Sequence, residues 1–324
     1  MEARPRGHDF GILASMFRHA TFVSALVFAM LIVAGCGLLE SNPSTTTPTT
    51  TTQPEDPAVA TTTATSTAAP DDSPCLAGDR PFAGGGVISA FGSADGDASQ
   101  VSGFRWESHP GCERVVIDLL TADGAPAGSL DPAGVEYNAG AGVIRINMPE
   151  SIARSAVADS RFDGAIITRA YAVTTAGNLA IDLHLAAGRP YAVRAYEVDS
   201  PKRIVVDVRE DPGADPVVGA MFGNSVVVVT PTAGPVTPPL RLSGYVSHSI
   251  GDVTAEMMVD GEVAASQTSD DLRGEHTWRE FTMVFGDVPD AEVRLVVTPD
   301  DHQEQAVEVP IDATRPVDSV SPEV

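Results

Sequence analysis

Basic residues are few in this sequence. Lys202 is its only lysine, and the 20 lysines and arginines accompany 44 aspartates and glutamates, so the 324 residues carry a net charge of −24. Nucleic-acid binding needs lysine and arginine contacts to phosphate, so this composition excludes nucleic acid as an expected partner. So acidic a surface should also repel anionic lipid head groups and anionic wall polymers unless cations mediate.

Aromatic residues and catalytic motifs are scarce as well. Aromatics make up 6% of the chain, whereas 29 glycines and 25 prolines are typical of a turn-rich β protein and argue against a helical bundle. The sequence contains no HExxH, GxSxG, SxxK or P-loop motif. Carboxylates are so abundant that pairs of them do not indicate acid–base catalysis. We therefore expect a non-catalytic protein that holds no metal and no other cofactor.

The N-terminal region has the pattern of an export signal. Arginines at positions 4, 6 and 18 precede the uncharged run TFVSALVFAMLIVAG, as in a signal peptide. The segment Val33-Ala34-Gly35-Cys36 resembles the lipobox of bacterial lipoproteins, in which small residues precede the cysteine that carries the lipid. We expect a signal peptide at 1–35, a lipidated Cys36, and an extracytoplasmic protein anchored to the outer face of the cell membrane.

Two details of this region stay open. Met1 and Met16 are both candidate starts, and either leads to the same prediction. An uncleaved anchor over residues 21–39 is the alternative to lipidation, because about 20 apolar residues suffice to span a bilayer. Both alternatives place the rest of the chain outside the cytoplasm.

A threonine- and proline-rich segment follows the cysteine. Within residues 36–74, the stretch from residue 41 onward holds 16 serines and threonines and six prolines, with almost nothing able to form a core. This composition predicts a disordered, partly extended tether. Its threonine clusters are candidate O-glycosylation sites, and a plain spacer is the alternative. In either case the tether would hold the folded part away from the lipid.

Residues 75–211 are predicted to form a first β domain. Apolar and polar residues alternate in ERVVIDLL (113–120), GVIRINM (142–148), NLAIDLHLA (178–186) and KRIVVDVRE (202–210). Period two predicts sheets with one face in solvent, as in a sandwich or an open barrel. The same alternation predicts that Asp182, His184 and Asp207 lie on the solvent side of their strands. A short helix is predicted at 149–158.

A second β domain is predicted at 236–315, after a Pro/Gly-rich linker at 212–235 and before a disordered tail at 316–324. The linker contains VVVVTP, a strand candidate at 226–231. Asp260-Gly261 between apolar runs predicts a hairpin, since type I′ turns need positive φ at both central residues. About 80 residues in six or seven short strands match an immunoglobulin-like sandwich. The large aromatic residues Trp278, Phe281 and Phe285 are expected in its core.

Two cysteines remain once Cys36 is lipidated. Cys75 and Cys112 are expected to pair in an oxidising compartment, and the bond would close a 37-residue loop and contribute about 3–4 kcal/mol in the chain-entropy model. A zinc site is the weaker alternative, because no CxxC and no histidine spacing accompanies them.

Trp106, flanked by Arg105 and Glu107, is the candidate ligand-binding residue. Its ring could stack on a sugar; a buried core tryptophan is the alternative.

Two family resemblances extend these predictions. RVVIDL (114–119) and PKRIVVDV (201–208) resemble strands of an AMIN-type domain, in the version found in actinobacterial lipoproteins, over residues 100–211. LRLSGYV (240–246), TWREFTMVF (277–285) and VEVPI (307–311) are similar to the immunoglobulin-like domain that accompanies bacterial spore-germination proteins. AMIN domains are associated with targeting to peptidoglycan and division sites, which implies a wall-binding role. The chain departs from the amidases of that group in lacking a catalytic domain after this region.

Together these features predict an all-β lipoprotein of the cell envelope, with two sandwich-like domains held off the membrane by a tether. Its expected partners are the membrane, through the lipid, and peptidoglycan or envelope proteins. One alternative is an accessory subunit of an envelope transport or secretion complex. Others are a hydrolase with an unrecognised carboxylate site, and a solute- or cation-binding module using acidic loops such as Asp95-Gly96-Asp97.

Overall fold

The computed structural model describes residues 73–270, 272, 274–300 and 302–313. The predicted signal peptide, Cys36, nearly all of the tether and the tail therefore lie outside the described residues. Within them, strands and loops make up the fold apart from one 3₁₀ turn at Gln303–Gln305, so the all-β prediction is confirmed. In this part of the chain no helix has the length and hydropathy needed to cross a membrane.

The N-terminal half (residues 73–211) contains two sheets. Its strands are β1 (Gly86–Phe91), β2 (Gln100–His109), β3 (Cys112–Leu120), β4 (Ala133–Asn138), β5 (Val143–Asn147), β6 (Arg154–Ser155), β7 (Asp159–Arg161), β8 (Ile167–Thr175), β9 (Asn178–Leu185), β10 (Tyr191–Val198) and β11 (Arg203–Glu210). One sheet has the order β1-β4-β5-β9-β8, with β7 also paired to β8, and the other has the order β10-β11-β3-β2-β6.

The core of this half lies between the two sheets and is mainly aliphatic, with two buried tyrosines, Tyr137 and Tyr191. The residues that alternation assigned to the inner face, such as Ile117, Ile144 and Val206, are fully buried. Aliphatic residues at every second position cover most of the inner face of each sheet, so the two faces pack with few aromatic residues. The predicted core-facing residues of these strands are confirmed.

The short helix predicted at 149–158 is wrong. The segment forms turns and the two-residue strand β6, which pairs with β2 in parallel at Gln100 and Val101. Ile152 within it is fully buried in the core. Burial of this side chain and pairing with a sheet edge outweigh weak local helix propensity.

The C-terminal half (residues 212–313) forms a second pair of facing sheets. Its strands are β12 (Met221–Phe222), β13 (Val226–Thr230), β14 (Gly234–Pro235), β15 (Leu240–Val246), β16 (Val253–Val259), β17 (Glu262–Ser269), β18 (Trp278–Phe285), β19 (Glu292–Pro299) and β20 (Val307–Asp312). The sheets have the orders β18-β15-β13-β12 and β14-β20-β19-β16-β17. The predicted strand at Val226 is β13. The predicted hairpin joins β16 to β17, with φ of 51° at Asp260 and 86° at Gly261.

The two halves share one sheet. β8 and β18 run parallel and pair at Trp278 with Val173 and at Arg279 with Thr174, which joins their sheets into a single ten-stranded sheet. A separate apolar cluster fills the space between the halves, with members from both of them: Tyr171, Val173, Val227, Tyr245 and Trp278. Trp278 is buried, as predicted, but it packs in this cluster between the halves rather than in the core of its own sandwich.

The prediction that Asp182 and His184 face solvent is wrong. Both lie on β9, and both are almost completely inaccessible, because the C-terminal half covers this face of the sheet. The His184 ring packs edge-to-face against Tyr171 and Phe222, with centroids 5.4 and 5.1 Å apart. Its Nε2 is hydrogen-bonded to the Tyr245 hydroxyl, whereas Nδ1 has no partner among the described residues.

Burial of His184 predicts that stability falls in mild acid. Burial, together with the charges of Arg169 and Arg145, lowers its pKa from 6.5 to about 3. Below about pH 6.5 the unfolded histidine binds a proton that the folded one does not, so the stability present above this pH is lost as pH falls toward 3. Because of this residue, we expect the free energy of unfolding to decrease by about 1.4 kcal/mol for each unit that the pH falls within this window.

Chemical unfolding between pH 7 and about pH 4.5, above most carboxylate titrations, measures this slope. His184→Gln removes the titrating group, so the free energy of unfolding should depend less steeply on pH, by the contribution of about one proton. The matched variant His248→Gln removes an exposed histidine and should keep the wild-type slope. Equal slopes in all three proteins would contradict the prediction.

Candidate functional site

The predicted disulfide is present. Cys75 and Cys112 are bonded, with Cα atoms 6.2 Å apart and both residues buried. Cys112 begins β3, so the bond ties the N-terminal loop (residues 73–83) to the five-stranded sheet of the N-terminal half. The loop therefore has a fixed position beside the outer face of that sheet.

A buried ion network lies under the same loop. Asp207 on β11 is fully buried and accepts hydrogen bonds from Arg114 Nε at 2.6 Å and Arg194 Nε at 3.0 Å. Nη2 of Arg194 also donates to the carbonyl oxygens of Cys75 and Ala77, at 2.9 and 2.8 Å. The prediction that Asp207 faces solvent is wrong, because the loop and the two arginines cover it.

Arginines line the outer face of this sheet. In one row across the strands Arg194, Asp207, Arg114 and Glu107 lie side by side, and the neighbouring rows contain Arg105, Arg203 and Arg209. Arg80 from the N-terminal loop lies over the ring of Tyr196, 4.9 Å from its centroid. We call this surface the arginine face; its basic members are Arg80, Arg105, Arg114, Arg194, Arg203 and Arg209.

The positive charge of the arginine face exceeds its negative charge. On its four strands five arginines share the face with three carboxylates, Glu107, Asp118 and Asp207. In the N-terminal loop the sixth arginine, Arg80, stands beside the exposed Asp79. Asp118 alone neutralises two arginines, since it lies 2.6 Å from Arg105 Nε and 3.3 Å from Arg203 Nε. In a chain with 20 basic and 44 acidic residues, this face therefore has the opposite sign to the protein as a whole.

Several of these arginines are available to a ligand. The Arg105 side chain is 49% exposed, and Arg80 and Arg209 are exposed and form no ion pair with a described carboxylate. Arg209 lies over the ring of Phe82, 4.6 Å from its centroid, which orients the guanidinium without neutralising it. Hydrogen bonding to Asp118 raises the pKa of Arg105, so its charge is permanent. Guanidinium groups in this state can bind carboxylates or phosphates bidentately.

Trp106 lies on the other side of the sheet, toward the core. Its ring is partly buried and stacks near Phe162 with centroids 6.2 Å apart, and its Nε1 donates to Glu113 Oε2 at 3.0 Å. Glu113 is itself buried and accepts the backbone N–H groups of residues 165–167. These contacts fix the orientation of the indole within the fold and keep it away from the arginine face.

The sequence contained only part of the signal for this face. The alternating pattern places Arg114 and Arg203 on the outer side of their strands, but it does not say that β3 and β11 are neighbours.

The described residues contain no group of three or more His, Cys, Asp or Glu side chains placed to hold a metal ion. In the comparisons with known proteins, neither a family model nor a curated protein matches the chain.

Proposed function

We propose that the chain is a non-catalytic lipoprotein of the cell envelope that binds a wall component, peptidoglycan in the first place, through the arginine face. The lipobox-like Cys36, the tether and the resemblance of residues 100–211 to AMIN-type domains support an extracytoplasmic position and a wall-binding role. The observation that carries the proposal is the arginine face itself, a surface of net positive charge on a strongly acidic protein.

The arginine face accounts for how so acidic a protein could bind an anionic cell wall. A chain of net charge −24 is repelled by a polyanionic wall at long range, but exposed charges are screened within about 8–10 Å at physiological salt. At contact distance the local charge decides, and exposed guanidinium groups such as Arg80, Arg105 and Arg209 fit the carboxylates of wall peptides. The acidic remainder of the surface would then restrict binding to one orientation.

Co-sedimentation with purified peptidoglycan sacculi tests the proposal. Full-length protein in mild detergent should sediment with sacculi at about 50 mM salt and be released toward about 500 mM. The double variant Arg80→Gln/Arg209→Gln removes two exposed charges without leaving a carboxylate unpaired. Its binding should be about tenfold weaker, as the loss of two contacts of somewhat under 1 kcal/mol each would give.

The control is Arg241→Gln/Arg294→Gln, which removes two exposed arginines from the C-terminal half, one of them in a solvent-exposed ion pair with Glu308. It lowers the net charge equally and should sediment as the wild type does. Failure of the wild-type protein to sediment would exclude peptidoglycan and leave an envelope protein as the partner. Equal loss in both double variants would mean that net charge, rather than the arginine face, governs binding.

A further inference from the structure

A cleft of about 420 Å³ lies between the two halves, away from the arginine face. One side is formed by β1, β4 and β5 of the N-terminal half, and the other by β13 and β15 of the C-terminal half. Both halves are needed to form it, and their shared sheet and apolar cluster fix its two sides relative to each other. Concave sites of this kind, where two packed units meet, are where proteins commonly bind small ligands.

Charged residues form a continuous row across the N-terminal side of the cleft. Glu136, Arg145 and Asp182 lie directly opposite one another on β4, β5 and β9. Arg145 donates to both carboxylate oxygens of Asp182, at 2.9 and 2.7 Å, and Asp182 is fully buried. The remaining nitrogen, Nη1, donates to Glu280 Oε1 on β18 at 2.8 Å, so this arginine also ties the two halves together.

Some carboxylate oxygens in and beside this row are free to accept hydrogen bonds from a ligand. Arg145 carries one positive charge, whereas Asp182, Glu280 and Glu136 carry three negative ones. Only one oxygen of Glu280 is engaged, and Glu136 is exposed and forms no hydrogen bond or ion pair with another described residue. The cleft is therefore net negative, with its unused acceptors on two different strands, and an anionic ligand would be repelled.

Aliphatic side chains lie beside these acceptors. Val87 on β1 stands directly opposite Glu136 and is 75% exposed, so its side chain is open to a ligand in the cleft. Val229 on β13 lines the cleft from the C-terminal side, next to the hydroxyls of Thr230 and Ser243, which are hydrogen-bonded to each other. A ligand that fits both properties has a cationic end and an apolar stem.

We propose that this cleft binds an aliphatic primary ammonium group, as on a lysine side chain of a partner polypeptide. The ammonium group has three donors, which the free oxygens of Glu136 and Glu280 accept, and its methylene stem packs on Val87 and Val229. Arg145 positions Glu280 for this contact and prevents the carboxylates from repelling one another. The site is separate from the arginine face and does not depend on wall binding.

Titration with Nα-acetyl-lysine methylamide tests the proposal on the full-length protein. Calorimetry should give saturable binding, and the methyl signals of Val87 and Val229 in valine-labelled protein should shift along the titration. The analogue whose side-chain amine is acetylated has the same stem without the charge, so it should cause no saturable shift. Glu136→Gln should raise the dissociation constant about tenfold.

The matched control is Glu262→Gln, which neutralises an exposed glutamate on β17 of the C-terminal half. It should leave the dissociation constant unchanged. The proposal is overturned if the probe causes no shift at the two valines. It is also overturned if the acetylated analogue binds equally well, or if both glutamate variants weaken binding to the same extent.

Discussion

Replacing Asp207 with asparagine is expected to cost about 3–5 kcal/mol of the free energy of unfolding. The carboxylate is fully buried and pairs with both Arg114 and Arg194. Asparagine keeps the shape of the side chain but leaves two largely buried guanidinium groups without their counter-ion. Removing one partner of a buried ion pair is costly because the remaining charge stays desolvated.

Denaturant unfolding measures the loss, and the midpoint should fall without a change of slope. Asp118→Asn is the matched control, because Asp118 also bridges two arginines but lies in solvent contact. Its cost should stay under about 1 kcal/mol. Similar costs for the two variants would show that the burial of the Asp207 network has no energetic consequence.

Trp278→Ala is expected to have a comparable cost, about 3–5 kcal/mol, and a different signature. The indole packs edge-to-face on Tyr171 with centroids 4.8 Å apart, and its Nε1 donates to Asp159 Oδ2 at 3.0 Å. Both partners belong to the N-terminal half. The variant should therefore weaken the contact between the halves and split thermal unfolding into two transitions.

Phe285→Ala is the control for this prediction. Phe285 is buried in the core of the C-terminal half and has no place in the cluster between the halves. It should lower stability by a similar amount within its own half. Calorimetry distinguishes the two variants, since only Trp278→Ala is expected to separate the transitions. A single transition in Trp278→Ala would mean that the halves are coupled by other contacts.

Local patterns were sufficient to predict much of the fold. Strands such as β3 and β5, the hairpin at Asp260 and the Cys75–Cys112 bond follow from period two, turn chemistry and the count of cysteines. Each of these signals lies within a few residues or depends on composition alone. They need no knowledge of which strand is adjacent to which.

The errors about which residues face solvent share one physical cause. Asp182, His184 and Asp207 are polar residues at alternate positions, which a local pattern assigns to solvent. Each is instead covered by a distant segment: His184 meets Tyr245, 61 residues away, and Arg145 beside Asp182 meets Glu280, 135 residues away. Only the order of strands in the folded sheet brings these pairs together.

The candidate sites were hidden from the sequence for the same reason. Arg105, Arg114 and Arg203 are spread over about 100 residues, and they form one surface because β2, β3 and β11 are neighbours. Glu136 and Glu280 belong to different halves. No spacing rule relates residues whose only connection is a shared sheet or cleft.

The Cys75–Cys112 bond has a mechanical consequence. A pull on the chain before residue 75 has two covalent paths into the fold, the backbone toward β1 and the disulfide into β3, the central strand of its five-stranded sheet. The disulfide path delivers tension to a strand that is hydrogen-bonded to β11 on one side and to β2 on the other. Both sets of hydrogen bonds must break before this strand can leave the sheet. A load arriving from the N-terminal side would strain the whole sheet at once instead of unzipping it from an edge.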